Sequence, residues 1–95
     1  MITLYNNLPS LDLHGMDRDY ASILINDFIK DHYQIKDEYV TIVHGNGTGI
    51  IKKQTQETLK KNPYVLEYKI DNFNSGMTIV RIKKKPWQIK VFLVQ

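Results

Sequence analysis

The sequence predicts a two-layer α/β sandwich in which a mixed four-stranded sheet packs against two helices. Three observations lead to this fold class. Short apolar runs rich in β-branched residues recur along the chain, and each has the length of a single strand. The segment after Asp17 has the apolar period of an amphipathic helix. A glycine-rich loop then separates a strand of buried character from a second helical segment. Taken in chain order, these segments give β-α-β-α-β-β.

The first strand and the first helix follow a short lead-in segment. Residues 1–9 show no strong period and are interpreted as that lead-in. Residues 11–14 are short and alternating, so we expect a strand there. Asp17 is a favoured N-cap residue, and we expect a helix from there to about His32 or Gln34. Its inner face has the spacing of one helix side and consists of Ala21, Leu24, Ile25, Phe28 and Ile29.

The middle of the chain predicts a second strand and a second helix. The β-branched run "YVTIV", residues 39–43, is typical of a buried strand. "HGNGTG", residues 44–49, is a glycine loop, and residues 50–61 form the second helix. Asn62-Pro63 ends this helix, because the residue before a proline disfavours helical backbone. The side chains expected on its inner side are Ile51, Thr55, Thr58 and Leu59, and those expected largely outside are Lys52, Lys53, Lys60 and Lys61.

The last part of the domain predicts two more strands. They are residues 64–70 and 77–83, and the turn-rich "DNFNSG" joins them. A strand-helix-strand unit links parallel neighbours, whereas the short last connection indicates an antiparallel pair. We therefore expect one domain over residues 10–84. Residues 85–95 form a C-terminal extension that could add a fifth strand, cover a sheet edge or contact a second copy in a dimer.

The composition fits one small globular domain of 95 residues. There is no cysteine, which excludes disulfides and thiolate zinc sites. The first ten residues lack the basic start and apolar block of a signal peptide. No apolar stretch approaches the roughly 18 residues that suggest a membrane span. We therefore expect a cytoplasmic protein with no membrane partner.

The net charge of +3 hides an asymmetry between the two parts of the chain. Residues 1–38 carry seven acidic and three basic residues, whereas residues 39–95 carry three acidic and ten basic residues. This split indicates a basic surface that could meet phosphates. A solvated lysine-rich face explains it equally simply, and charge alone favours that alternative.

Two His-Gly pairs occupy matching positions, each just after a short apolar run. They are His14-Gly15 in "LDLHG" and His44-Gly45 in "VHGNGTG". If the first two strands are parallel neighbours, both pairs leave the sheet at the same edge, where open α/β sheets bind ligands. We therefore expect His14 and His44 to emerge side by side. The third histidine, His32, is expected at the end of the first helix and in solvent.

The first pair brings a carboxylate and an imidazole together. Asp12 and His14 are two residues apart, so on a strand both would point to one face. A carboxylate beside an imidazole can orient the ring and favour its protonated form. The alternative is structural: Asp12 caps the following turn, and His14 is a polar strand end.

The second pair opens a loop that could hold a phosphate. Glycines allow positive φ and a close backbone approach, and the N-terminus of the next helix offers free N–H groups to an anion. The spacing matches neither a Walker loop nor the dinucleotide fingerprint. The residues predicted to bind phosphate are Gly45, Asn46, Gly47, Thr48, Gly49, Lys52 and Lys53.

Two kinds of phosphodiester chemistry fit these residues. Asp12, His14 and His44 could perform acid–base cleavage, one group activating a hydroxyl while another protonates the leaving oxygen. Alternatively, Asp12 and a histidine could hold a divalent ion, Mg²⁺ or Mn²⁺, that activates water. The three histidines and the lack of cysteine argue against a structural metal site.

These segments together resemble the Smr (small MutS-related) domain. The resemblance rests on "LDLHG", the helix with Ala21 and Leu24, "VHGNGTGIIKK" and "MTIVRIK", and it covers residues 10–83. It implies a fold similar to the C-terminal domain of bacterial translation initiation factor 3. It also implies nucleic-acid binding and, in several members, endonuclease activity on DNA or on messenger RNA at stalled ribosomes, and thus roles in DNA repair or ribosome quality control.

The resemblance also assigns roles to residues. Asp12 and His14 match the family's Asp-x-His motif, which is implicated in cleavage. The loop from His44 through Gly45, Gly47 and Gly49 matches its His-Gly-x-Gly-x-Gly motif, implicated in activity or substrate contact. This chain departs from the family pattern at Tyr20, at Asn46, where many members have a basic residue, and in the turn over residues 74–76.

Three functions are therefore carried forward. The first is an endonuclease that acts on RNA or DNA. The second is a nucleic-acid-binding module that does not cut. The third is a domain that docks on the ribosome or on another protein, with the C-terminal extension, residues 85–95, forming the contact.

Overall fold

The computed structural model describes residues 7–86 and has the predicted order of elements. The elements are β1 (Ser10–Asp12), α1 (Arg18–Gln34), β2 (Tyr39–Val43), α2 (Ile50–Lys61), β3 (Val65–Ile70) and β4 (Met77–Ile82). The second strand and both helices lie at the bounds that the sequence predicts. The first strand is shorter than predicted, because it ends at Asp12 rather than at His14.

The sheet has the strand order β1-β2-β4-β3. The first two strands are parallel, and β4 is antiparallel to both of its neighbours. The strands β1, β2 and β3 therefore all point the same way, and their carboxyl ends meet at one edge of the sheet. We call this edge, with the three segments 13–17, 44–49 and 71–76 that leave or enter it, the carboxyl edge. The topology confirms the predicted mixed four-stranded α/β sandwich.

The first helix is capped as predicted, and its predicted stripe faces the core, with Ala21, Ile25 and Ile29 buried and Leu24 and Phe28 partly buried. The Asp17 carboxylate accepts hydrogen bonds from the N–H groups of Asp19 and Tyr20 at 3.1 and 3.3 Å. The prediction that His32 lies in solvent is wrong. Its Nδ1 lies 2.6 Å from the Asp37 carboxylate, and its ring packs 4.4 Å from the Phe28 ring. The turn after α1 brings Asp37 back beside the last helical turn, which the helical period could not show.

The core lies between the sheet and the two helices. Alternate strand residues face the helices, as expected for a sheet with one covered face. Each helix contributes one side, and α1 and α2 also contact each other through polar side chains, Thr58 to Ser22 at 3.1 Å and Asn62 to Asn26 at 2.9 Å. The buried apolar cluster consists of Leu13, Ala21, Ile25, Ile29, Val40, Ile42, Leu59, Val80 and Ile82.

Two predictions concern chain ends that the structure describes only in part. The lead-in over residues 1–9 is described from residue 7 onward, and the C-terminal extension over residues 85–95 is described only at residues 85 and 86. The fifth strand and the dimer contact therefore lie outside the described residues. Neither α1 nor α2, the helices within residues 7–86, combines the length and apolar character that a bilayer span requires.

Candidate nucleic-acid interface

The first predicted pair lies on a tight turn at the end of β1. The Asp12 carboxylate accepts a hydrogen bond from the His14 backbone N–H at 2.9 Å. The Met16 N–H donates to the Leu13 carbonyl at 3.0 Å, and Gly15 has φ +76°, which favours glycine. His14 therefore lies on this turn and not on the strand. Strand alternation does not set the direction of its ring, and the structural role expected for Asp12 as a turn cap is present.

Asp12 and His14 are both exposed, whereas the residue between them is buried. Leu13 has no exposed surface and anchors the turn in the core. A buried leucine thus fixes the position of two solvent-facing groups, a carboxylate and an imidazole. This pair is open to a ligand from solution.

The second predicted histidine has a different environment. His44 is only 6% exposed, and both of its ring nitrogens have partners. Nδ1 lies 2.9 Å from the Gly45 carbonyl oxygen, and Nε2 lies 2.8 Å from the Thr78 hydroxyl. The Thr78 hydroxyl also accepts a hydrogen bond from the Gln56 side-chain amide at 3.0 Å.

These contacts fix the tautomer of His44. A carbonyl oxygen only accepts, so Nδ1 carries the proton and donates it to Gly45. Nε2 then accepts from the Thr78 hydroxyl, which in turn accepts from Gln56. The resulting chain of hydrogen bonds runs from α2 through β4 to the glycine loop, and it is complete with a neutral imidazole.

The pKa of His44 is lowered, in agreement with a neutral ring. Burial is the main cause, because it removes water from the charged form. The hydrogen bond to the Gly45 carbonyl acts in the opposite direction, and the positive charge of Lys52 lowers the pKa further. Near neutral pH His44 is therefore uncharged.

The two histidines leave the sheet at the same edge, as predicted, but they occupy different environments. Asp12 pairs with Val43 in the parallel register, and the Leu13 N–H donates to the Val43 carbonyl at 2.7 Å. Asp12 alternates with Leu13 and lies on the sheet face away from the helices. His44 continues the helix-facing positions of β2 and reaches Thr78 beneath α2. The structure thus brings Asp12 and His14 together and places the His44 side chain in the interior.

The glycine loop and the start of α2 present unused backbone donors. Gly45 and Gly49 have φ +74° and +85°, and Gly49 is the N-cap of α2 without a capping side chain. Within the part of the chain that the structure describes, the N–H groups of residues 46–49, 51 and 52 donate no backbone hydrogen bond. Thr48 reaches only the Ile50 N–H, at 3.4 Å. Such a run of free donors at a helix N-terminus suits an anion.

The side chains at this helix start reinforce the preference for an anion. Lys52 and Lys53 lie in the first turn of α2, and that turn contains no acidic residue. Basic residues at a helix N-terminus oppose the helix dipole, which costs about 0.3–1 kcal/mol each at an exposed site. A bound phosphate would compensate both the lysine charges and the dipole.

The turn over residues 71–76 supports the glycine loop. The Gly76 carbonyl accepts hydrogen bonds from the His44 and Gly45 N–H groups, both at 2.9 Å. The Ser75 hydroxyl donates to the Asn46 side-chain oxygen at 3.1 Å. The Asn46 side chain thus fastens the loop to this turn.

Sequence reasoning missed two members of this arrangement, Thr78 and Gln56. Thr78 lies at a helix-facing position of β4 and is fully buried, so a polar residue there needed a partner. The strand alternation of β4 therefore marked Thr78 as a buried polar residue. It could not identify His44 as the partner, because the register of β2 against β4 is what places the two side chains together. Nothing in the period of α2 marks Gln56.

A metal site made of protein ligands alone is not formed at this edge. Within residues 7–86 no group of three or more His, Asp or Glu side chains lies close enough together to hold a metal ion. The side chains that could ligate an ion at this edge are those of Asp12 and His14. A divalent ion there would need oxygens from a bound phosphate to complete its coordination.

Comparison with known families matches most of the chain to one model. Residues 11–83 match the Smr domain. A relative, Endonuclease MutS2 of Clostridium perfringens, is 36% identical over 74 residues, which is 78% of this chain and 9% of that protein. Endonuclease MutS2 of Clostridium novyi is 34% identical over 85 residues, 86% of this chain and 11% of that protein. The chain thus spans about a tenth of the length of these relatives.

Two solved structures share the fold. The Smr domain of Thermus thermophilus MutS2 has a TM-score of 0.77 at 19% identity, over 80% of this chain and 99% of that one. YdaL, a stand-alone small MutS-related protein from Escherichia coli, has a TM-score of 0.74 at 21% identity, over 79% of this chain and 64% of that one. At these identities the likeness concerns the fold.

Proposed function

The chain belongs to the Smr domain family, and we propose that it binds nucleic acid at the carboxyl edge and cleaves the phosphodiester backbone of RNA or DNA. The observation that carries this proposal is the run of free N–H groups over the glycine loop and the start of α2, with Lys52 and Lys53 beside it. Backbone donors and lysines bind phosphate without regard to base identity.

The relatives support the cleavage part of the proposal. The proteins that this chain resembles at 34–36% identity are named endonucleases. These relatives are much longer than the matched segment, so endonuclease activity of this chain is our proposal.

Asp12 and His14 are the proposed reacting groups. They are exposed, lie on one turn and flank a buried anchor. One of them takes the proton of the attacking hydroxyl, either water or the RNA 2′-OH, whose oxygen forms the new bond to phosphorus. The bond from phosphorus to the leaving oxygen breaks, and the other group gives that oxygen a proton. Such acid–base assistance is worth about 10²- to 10⁴-fold in rate.

His44 acts on the loop rather than on the substrate. Its Nδ1–H donates a hydrogen bond to the Gly45 carbonyl, and its Nε2 accepts one from the Thr78 hydroxyl. Neither nitrogen is therefore free for proton transfer. A positioning role therefore replaces the catalytic role that the sequence suggests for His44. It fixes Gly45, the residue just before the loop N–H groups that would contact the phosphate.

A binding module without cleavage is the second candidate, and one observation favours it. One oxygen of the Asp12 carboxylate already caps the turn through the His14 N–H, which is the structural role that a non-catalytic domain would also keep. In that case the carboxyl edge holds the strand without cutting it.

A cleavage assay separates these functions. The purified protein is incubated with supercoiled plasmid and with single-stranded RNA, each with Mg²⁺, Mn²⁺ or EDTA. Nicks or RNA cuts that disappear in His14→Ala support the nuclease. Salt-sensitive binding without cuts supports the binding module. Neither binding nor cutting would remove both nucleic-acid functions, and cuts that persist in EDTA would argue against a metal-assisted route.

A further inference from the structure

One large apolar side chain at the carboxyl edge stands almost entirely in solvent. Phe73, in the turn between β3 and β4, is 97% exposed, the highest exposure among the large hydrophobic residues that the structure describes. A ring so exposed buries almost no apolar surface and therefore adds little to the stability of the core. Its position is set by the turn that carries it.

Hydrogen bonds hold this turn in place. The Phe73 N–H donates to the Asp71 carboxylate at 3.2 Å, and the Gly76 N–H donates to the Asn74 side-chain oxygen at 3.0 Å. Asp71 and Met77 close the hairpin, since the Asp71 N–H donates to the Met77 carbonyl at 2.9 Å. The ring is therefore presented from an ordered support.

The same turn is fastened to the proposed phosphate site. Gly76 accepts hydrogen bonds from His44 and Gly45, and Ser75 contacts Asn46. Phe73 and Gly76 are three positions apart in the chain, so their Cα atoms lie at most about 11 Å apart. The turn that carries the ring is therefore close to the glycine loop.

The surroundings of Phe73 fit a base better than a protein surface. Its neighbours Asn72, Asn74 and Ser75 are exposed and polar, so the turn offers no contiguous apolar patch of the kind that protein interfaces use. Proteins stack unpaired bases on exposed aromatic rings that lie beside a surface binding the phosphate backbone.

We propose that Phe73 is a stacking platform for an unpaired base, so that the carboxyl edge prefers single-stranded nucleic acid over a continuous duplex. This inference rests on the proposed function and names its substrate class. In a duplex the faces of the bases are already covered by their neighbours, so the ring could stack only after a base is displaced. On a single strand the stack forms without that cost.

Binding titrations with Phe73 variants test the proposal. A short fluorescent single-stranded DNA and a hairpin duplex of the same sequence are titrated in EDTA with the whole chain. Phe73→Ala is expected to weaken single-strand binding by about 5- to 150-fold, the range for loss of one stacked base. Duplex binding is expected to change less than about twofold. Phe73→Trp should keep the affinity, whereas Phe73→Leu should lose most of it.

Controls distinguish this inference from the proposed function. Ile35→Ala removes another exposed apolar side chain, which is 65% exposed and lies at the C-terminal end of α1, away from the carboxyl edge. This change should leave the affinities for the single strand and for the duplex unchanged. The Phe73 variants should also keep the wild-type melting temperature. Binding of both probes by wild type with no effect of Phe73→Ala, or full rescue by Leu, would overturn the stacking role while the proposed function stands. Failure of wild type to bind either probe would overturn both.

Discussion

Gly45 and Gly76 lie in direct backbone contact, and this contact joins the two glycine-containing segments of the carboxyl edge. A Cβ on Gly76 would stand 3.2 Å from the Gly45 Cα and 3.3 Å from its carbonyl carbon. The Gly76 carbonyl also accepts the Gly45 N–H at 2.9 Å. The position of the glycine loop therefore depends on the absence of a side chain in the neighbouring turn.

Gly76→Ala is expected to destabilise the domain and to displace the loop. The added methyl group meets backbone atoms, which cannot rotate away as a side chain could, and such overpacking costs about 1–3 kcal/mol. Gly47→Ala is the matched control, since a Cβ there meets nothing within 4 Å. Chemical unfolding should show a loss for Gly76→Ala and a change within about 0.5 kcal/mol for Gly47→Ala. Equal effects would mean that the contact does not position the loop.

The lysines at the start of α2 are expected to control the salt dependence of binding. Replacing Lys52 and Lys53 by Gln should weaken binding to any sequence. It should also reduce the slope of log K against log salt by about 1 for each phosphate that the variant no longer neutralises. Lys60 and Lys61, in the last turn of the same helix, provide the same change of charge at the far end. If both double variants reduce the slope equally, the effect is one of net charge and not of this site.

Asp12 offers two substitutions that separate charge from turn capping. Asp12→Asn keeps an oxygen that can accept the His14 N–H, so the free energy of unfolding should stay within about 0.5 kcal/mol of wild type. The same change removes the carboxylate, so the rate of cleavage should fall by about 10²- to 10⁴-fold. Asp12→Ala should lose cleavage and also about 1 kcal/mol of stability. Cleavage that survives Asp12→Asn would leave Asp12 as a turn cap only.

His44 is expected to make the domain less stable at mildly acidic pH. Its pKa is lowered in the folded state by burial and then by Lys52, so the unfolded chain binds a proton first as the pH falls below the usual value of 6.5. Stability from this group is therefore complete above pH 6.5 and decreases below it, until the folded form also takes the proton.

Melting temperatures measured from about pH 7.5 to about pH 5, a range that brackets the ordinary histidine pKa, test this sign. Wild type should lose more stability on acidification than His44→Asn, although the variant starts less stable because the contacts to Gly45 and Thr78 change. The comparison with the variant removes the contributions of the other two histidines. Parallel curves would show that His44 does not titrate differently in the folded and unfolded states. Lys52→Gln should raise the His44 pKa, which an NMR titration of the ring would detect.

Most of the fold could be predicted because local patterns and topology agree. The stripe from Ala21 to Ile29 defines α1, Asp17 defines its start, and Asn62-Pro63 defines the end of α2. The connection lengths then determine which neighbours are parallel. The end of β1 was misplaced by two residues, because the alternation of "LDLH" continues into a turn that Gly15 and the Asp12 carboxylate form.

The site was predicted in location but not in its internal division. Parallel strands sufficed to bring the two His-Gly pairs to one edge. The sequence could not show that the His44 side chain is held in the interior, since its partner Thr78 comes from β4 and is placed beside it by the register of β2 against β4. Phe73 carries no periodic signal at all, and only its exposure in the folded chain marks it.

The most direct test of the central claim is to map nucleic-acid contacts by NMR. Backbone amide shifts of the ¹⁵N-labelled chain are followed as a short single-stranded oligonucleotide is added. The largest changes should lie at His14 and Gly15, at residues 45–53 and at residues 71–76, and changes at the opposite edge, residues 35–38 and 62–66, should be small. Changes concentrated at the opposite edge or at the α1–α2 contacts around Ser22 and Asn26 would contradict the assignment of the carboxyl edge as the nucleic-acid interface.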